Sequence, residues 1–219
     1  MIEDGETVAV GVSGGKDSLT LMCALANLRR YYPKRFDLHA FTLDMGFEGA
    51  DFAPVGALCG ELGIPYTLRR TDFANIIFDD RREKNPCALC AKMRRGALND
   101  MIKERGINKI ALAHHYDDAV ETFMLSLLYE GRINCFMPVT YMDRTGVTQI
   151  RPMLYADEEA IKRVVRKHSL PVVHNPCPMD GESKREEVKT LLRTLGATYP
   201  GLKNKIFGAM KRLPLQGWA

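Results

Sequence analysis

Three short stretches of this sequence carry reactive or charge-handling side chains at spacings that packing alone does not require. Ser13-Gly-Gly-Lys-Asp-Ser18 directly follows the β-branched apolar run Thr7–Val12. A strand that ends in such a loop and passes straight into a helix offers an anion exposed backbone N–H groups and the positive end of the helix dipole. Gly14 and Gly15 let the backbone approach closely, Lys16 adds a cation, and the Ser13 and Ser18 hydroxyls can donate to phosphate oxygens. This is not the usual nucleotide loop, since Asp17 stands where that motif needs Ser or Thr. A tight strand-to-helix turn would account for the two glycines but not for Lys, Asp and two Ser beside them.

The second stretch, His114-His-Tyr-Asp-Asp118, ends the apolar run Lys109–Ala113. With Asp17, the Asp117 and Asp118 carboxylates form a hard oxygen set suited to Mg²⁺, although either of the last two can equally cap the helix that follows. Asp44 occupies the corresponding position after the run Asp37–Leu43.

The third constellation is made of thiols. Of six cysteines, Cys23, Cys59 and Cys135 lie in apolar or unremarkable contexts and read as packing residues, while Cys87-Ala-Leu-Cys90 and Cys177 sit beside prolines in expected loops. Neither a signal peptide nor a spanning segment is legible, so a cytoplasmic protein without a disulfide framework is expected. Three thiolates can hold a [4Fe–4S] cluster with one iron left open, or zinc with a fourth ligand such as His174. Cys87 and Cys90 can also act as a redox pair carrying persulfide sulfur. The alternative is three unrelated thiols, which a Cys-x-x-Cys between proline and a basic segment argues against.

The elements that must position these groups follow from periodicity. Strands are expected at Thr7–Val12, Asp37–Leu43, Pro65–Arg69 and Lys109–Ala113. Helices are expected after Ser18 on the Leu21, Leu25, Leu28 spacing, through Val55–Leu62, at Lys92–Arg105, and after Asp118 with Val120, Phe123, Met124, Leu127 and Leu128 as the apolar face. Alternating strands and helices imply an α/β fold, a doubly wound parallel sheet with helices on both faces. Beyond Gly131 the pattern loosens: a turn at Asp143–Gly146, a strand near Thr148–Arg151 and helices at Asp157–His168 and Lys184–Leu195 are expected. The chain thus reads as one domain over 1–219, with a small helical C-terminal segment from about 153 that carries Cys177.

Charge is unevenly distributed. Residues 1–60 carry a net −3 and the remainder +7; residues 81–105 hold eight basic against three acidic side chains, and residues 160–193 eight against four. Arg94 and Arg95, and the stripe Arg185, Lys189 and Arg193, are the expected contacts to a polyanion, with a solvated helix face as the alternative for each.

The string Ser13–Ser18 resembles the PP-loop of the ATP pyrophosphatases, which split ATP between its α- and β-phosphates and hand AMP to a substrate carbonyl. The ordered set of that loop, Cys87-x-x-Cys90 leading into Met93-Arg-Arg-Gly96, His114-His-x-Asp-Asp118 and Pro-Cys177-Pro is similar to the tRNA 2-thiocytidine synthetase family, from about Val8 to Leu195. Two departures stand out: seven residues precede Val8 where members carry a helical extension, and Ala113 replaces the glycine expected before the His pair. The resemblance implies ATP and Mg²⁺ at Ser13–Ser18 and the aspartates, an oxygen-sensitive [4Fe–4S] cluster on Cys87, Cys90 and Cys177, and thiolation of an anticodon-loop cytidine. It further implies tRNA as partner and a cysteine desulfurase or other sulfur donor. The oligomeric state stays open, a homodimer being one arrangement. Formation of 2-thiouridine, desulfuration of a thio-base, and a non-catalytic nucleotide- and RNA-binding module with structural zinc are the competing readings.

Overall fold

A computed structural model describes residues 1–81, 85–174, 176–179, 181 and 183–212. Along the chain it runs β1 (Glu6–Gly11), α1 (Lys16–Leu28), β2 (Phe36–Asp44), α2 (Ala53–Glu61), β3 (Tyr66–Arg70), α3 (Phe73–Asn75), a π turn (Ile76–Asp80), α4 (Pro86–Lys103), β4 (Lys109–Ala111), α5 (Tyr116–Glu130), β5 (Val139–Met142), β6 (Val147–Ile150), α6 (Glu158–His168), α7 (Lys184–Thr198) and α8 (Leu202–Arg212).

The six strands form one sheet in the order β3-β2-β1-β4-β6-β5. Every pairing is parallel except β5 with β6, which register antiparallel from Val139 opposite Ile150 to Met142 opposite Val147. The expected parallel sheet therefore carries one antiparallel edge strand. The Asp143–Gly146 turn produces it: Gly146, at φ +67°, donates its N–H to the Met142 carbonyl and folds the chain back on itself.

Strand alternation sorts the core onto two faces. Val8, Val10, Leu38 and Ala40 pack with Leu21, Met22 and Leu25 of α1, Val55 of α2 and Ile161 of α6, whereas Ala9 and Phe41 meet Met101 and Ile102 of α4. A third cluster joins Val120 and Phe123 of α5 to Leu192 of α7 and to Phe207 and Met210 of α8. At the largest of these side chains, full burial contributes about 1.5–3 kcal/mol each.

Three expectations need correction. Helix α4 begins at Pro86, not near Lys92, because Pro86 takes the first helical position and the Asn85 side chain accepts the Ala88 N–H. Cys87 and Cys90 are therefore on the first two helical turns rather than in a loop. Leu127 and Leu128, expected on the buried face of α5, are 41% and 50% exposed, since the cluster that α5 shares with α7 and α8 runs through Ala119, Val120 and Phe123, with Met124 and Leu125 at its edge. The stretch before Asn85 holds α3 and the π turn, and α8 was not anticipated. Of the Asn175–Pro178 loop, Asn175 lies outside the described residues, as do 213–219 of the C-terminal segment.

Candidate active site

Strand β1 lies between β2 and β4, so the strand order reverses beside it and the loops after β1 and β4 open into the same crevice. The loop after β1 turns at Gly14, whose φ of +82° favours glycine. Its carbonyl accepts the Val173 N–H at 3.0 Å, and a Cβ there would stand 2.9 Å from that of Val173. Gly15 caps α1 without a side-chain partner, leaving the first turn of helical N–H groups open to an anion. Ser18 holds the loop closed: its Oγ accepts from the Ser13 N–H at 3.1 Å and donates to the Gly15 carbonyl at 2.9 Å.

Charge is paired across the crevice. Lys16 Nζ donates to both Asp17 oxygens at 2.9 Å and stands 3.3 Å from Glu158. Burial works against the ammonium, but Asp17 and Glu158 prevail and raise its pKa. The Nε2 of His115, a 5% exposed residue, lies 3.5 Å from both Asp17 and Asp118, and Asp118 accepts the His115 N–H at 3.0 Å. Asp117 turns elsewhere: it accepts from Lys203 of α8 at 2.5 Å and from the Glu158 N–H at 2.8 Å. Burial disfavours its charge, yet Lys203 and the Glu158 amide hold its carboxyl below the ordinary carboxylate range.

A cavity of about 230 Å³ fills the crevice, walled by Ser13, Asp17, Ser18, Asp118, His114 and Arg94 among others. The described structure thus brings together the phosphate loop, Asp118, His114 and Arg94. Asp44 and Asp117 do not line this cavity; Asp44 instead accepts the Gly46 N–H at 2.9 Å. The stripe on α7 faces carboxylates: Arg185 stands 3.4 Å from Asp118 and from Glu121, and Lys189 3.7 Å from Glu158, while Arg193 contacts Thr190 on its own helix. Glu158, Glu121, His115 and Lys203 were not among the residues singled out. Only His115 had a local signal, its place in the His-His-x-Asp-Asp string; the others arrive from distant helices.

Cys87 and Cys90, three apart on α4, share one helix face. Burial, then the negative charge of Cys177 and Cys90, pushes the Cys87 thiol above its ordinary value. Cys177 therefore stands near the helix-borne pair although 87 positions separate it from Cys90. Three cysteine sulfurs fit an iron–sulfur cluster by donor chemistry. Among the described residues, no three ligating side chains already stand in coordinating geometry, and His174 is exposed. Buried Cys59 and half-buried Cys135 are pushed up to about 11 and about 12, first by burial, as befits packing thiols.

A family model described as the PP-loop domain matches residues 3–194. The tRNA-cytidine(32) 2-sulfurtransferase of Geobacter metallireducens is 38% identical over 213 residues, covering 96% of this chain and 83% of the relative. That of Syntrophotalea carbinolica is likewise 38% identical, over 96% and 82%. Among solved structures, the U34-tRNA thiolase NcsA from Methanococcus maripaludis with its [4Fe-4S] cluster superposes with a TM-score of 0.77 at 27% identity, over 96% of this chain and 72% of the other. A glycine loop at the switch point of a mostly parallel sheet, under a family model that spans most of the sequence, means that this chain belongs to the PP-loop domain family.

Proposed function

We propose that this chain is an ATP-dependent tRNA sulfurtransferase that replaces the C2 oxygen of an anticodon-loop cytidine with sulfur, and that one PP-loop domain over 1–219 does so. The observation that carries the reading is that Arg94, four residues beyond Cys90 on α4, lines the phosphate-loop cavity, so sulfur-bearing and ATP-bearing groups converge. Its support is the identity to the two 2-sulfurtransferases.

In this reading the ATP phosphates lie on Ser13–Ser18, at the open N-terminus of α1. The base carbonyl oxygen attacks the α-phosphorus and pyrophosphate leaves, which turns a poor leaving group into AMP. A sulfur nucleophile then attacks C2, and AMP departs with the original oxygen. Lys16 stabilises the charge developing on the phosphates, and positioned cations contribute most in the transition state. Asp17 and Asp118 would hold Mg²⁺, which would supply further neutralisation when bound. Cys87, Cys90 and Cys177 would hold a [4Fe–4S] cluster, which would supply the sulfur-handling chemistry when bound. Arg94 and Arg95 take RNA phosphates, with Arg185, Lys189 and Arg193 as a second basic face. A cysteine desulfurase or similar donor renews the sulfur in the cytoplasm, where tRNA resides; a homodimer is compatible with this chemistry.

Purification without oxygen followed by iron, acid-labile sulfide and zinc analysis tests the cluster, and nucleoside analysis of treated tRNA tests the reaction. About four irons per chain and 2-thiocytidine are expected. Cys87→Ala, Cys90→Ala and Cys177→Ala should each abolish the product, and an undiminished yield overturns the mechanism. A single tight zinc without ATP turnover overturns the enzymatic reading in favour of a structural zinc module.

A further inference from the structure

A second cavity, of about 340 Å³, lies between α4 and the β4–β6 pair, and the reaction above leaves it without a role. It falls within the range of about 300–1,000 Å³ that small-ligand pockets occupy. Arg94, Leu98, Leu112 and His114 wall both this cavity and the phosphate-loop cavity, so the two adjoin. Ala91, next to Cys90, also lines it.

Its deep wall is polar and incompletely partnered. Arg151, 6% exposed, donates from Nη1 to the Met137 carbonyl at 2.6 Å and to Thr140 Oγ1 at 3.1 Å, and from Nη2 to Gln149 Oε1 at 3.2 Å. These acceptors are neutral, and Nε is buried with no partner. The buried Nδ1 of His114 is likewise unpartnered, and Asn99, 5% exposed, adds an amide to the same wall. The guanidinium stacks 4.9 Å from the centre of the Phe136 ring, which gives the cavity a flat apolar wall. Burying such groups without acceptors is unfavourable, and a ligand that presents them a hydrogen-bonding edge removes the penalty.

We propose that this cavity receives the target nucleotide, a pyrimidine swung out of the RNA loop so that its carbonyl oxygen reaches the ATP in the adjoining cavity. The inference rests on the sulfurtransferase reading and specifies where its substrate binds. Enzymes that do chemistry on a base take it out of the stack and read its edge with hydrogen bonds in a closed pocket. Arg151 Nε–H supplies a donor suited to the N3 acceptor of cytosine, where uracil instead carries a proton, and the Asn99 amide supplies both a donor and an acceptor. Arg94 and Arg95, at the rim, take the flanking phosphates.

The test is fluorescence anisotropy of the intact protein, purified without oxygen, with a labelled anticodon stem-loop RNA bearing cytidine, uridine or an abasic sugar at the target position. Wild type is expected to bind the cytidine RNA about tenfold more tightly than the abasic one, as a pair of base-edge hydrogen bonds allows. Asn99→Leu and Arg151→Lys, each confirmed folded by thermal unfolding, should bring that ratio close to one while leaving affinity for the abasic RNA unchanged. Retention of the ratio in a folded variant overturns the proposal. Photocrosslinking of wild type to the same RNA with 5-iodocytidine needs no variant: it should map to Phe136 or its neighbours in this cavity, and crosslinks elsewhere overturn the proposal. A protein that forms thionucleoside yet fails these tests refutes the pocket alone, whereas one that neither binds the RNA nor thiolates tRNA refutes the sulfurtransferase reading and the pocket with it.

Discussion

At the scale of single residues, the phosphate loop is a backbone device and its most sensitive position has no side chain. Gly14 combines φ +82° with a Cβ direction that meets Val173 at 2.9 Å. Gly14→Ala should therefore cost about 1–3 kcal/mol and raise the KM for ATP, because either the loop or the Val173 segment must move; an unshifted melting temperature and an unchanged KM would contradict this account. Asp117 makes a different point. It lies in the most motif-like string of the sequence, yet its carboxylate ties α5 to α6 and α8 through the Glu158 amide and Lys203. Its pKa is depressed despite burial, so this pair stabilises the fold above the ordinary value of 3.8, and that stability is lost as pH falls below it. Lys203→Met should lower stability at neutral pH by about 1 kcal/mol, since Lys203 is partly exposed and solvent screens the pair, and should flatten the acid limb of a melting-temperature profile.

At the scale of elements, α4 links the sulfur chemistry to the nucleotide chemistry. Its first two turns carry Cys87 and Cys90 and its next turns carry Arg94 and Leu98 into the crevice, so the position of the helix start sets the position of the thiols. That start depends on Pro86 and on the Asn85 cap to Ala88, a 3.3 Å bond. Asn85→Ala should cost about 1 kcal/mol and lower the iron content of anaerobically purified protein, while Asn85→Ser should restore both. Equal iron in all three proteins would detach the cap from cluster assembly. The Cys-x-x-Cys spacing was legible as a ligand pair, but the boundary was not. Proline and a Cys-rich string read locally as loop, whereas Pro at the first helical position is compatible with a helix.

At the scale of the whole molecule, burial and charge from several elements converge on His114. Its ring lies tilted against Phe136 with ring centres 4.8 Å apart, and burial, then the positive charge of Arg151, pushes its pKa down to about 4 from 6.5. A histidine kept neutral in the fold stabilises the protein fully above pH 6.5, and that contribution disappears as pH falls toward 4 because the unfolded chain takes up the proton first. The wild-type melting temperature should therefore decline across that window, above the range where Asp117 and Glu158 titrate. His114→Asn should decline less; identical profiles would show that His114 is not the group responsible.

The sequence by itself determined the strand–loop–helix of Ser13–Ser18, the alternation that makes a mostly parallel sheet and the pairing of Cys87 with Cys90. Each of these is written in a local period or a local turn chemistry, with partners a few residues apart. Only the tertiary structure decided that Glu158 pairs with Lys16 of the phosphate loop, that Lys203 takes up Asp117, that Arg185 and Lys189 face carboxylates, and that Arg151 lies buried with neutral partners. Those placements depend on how α6, α7 and α8 pack against α1 and α5, and long-range packing leaves no periodic trace in the residues that it brings together.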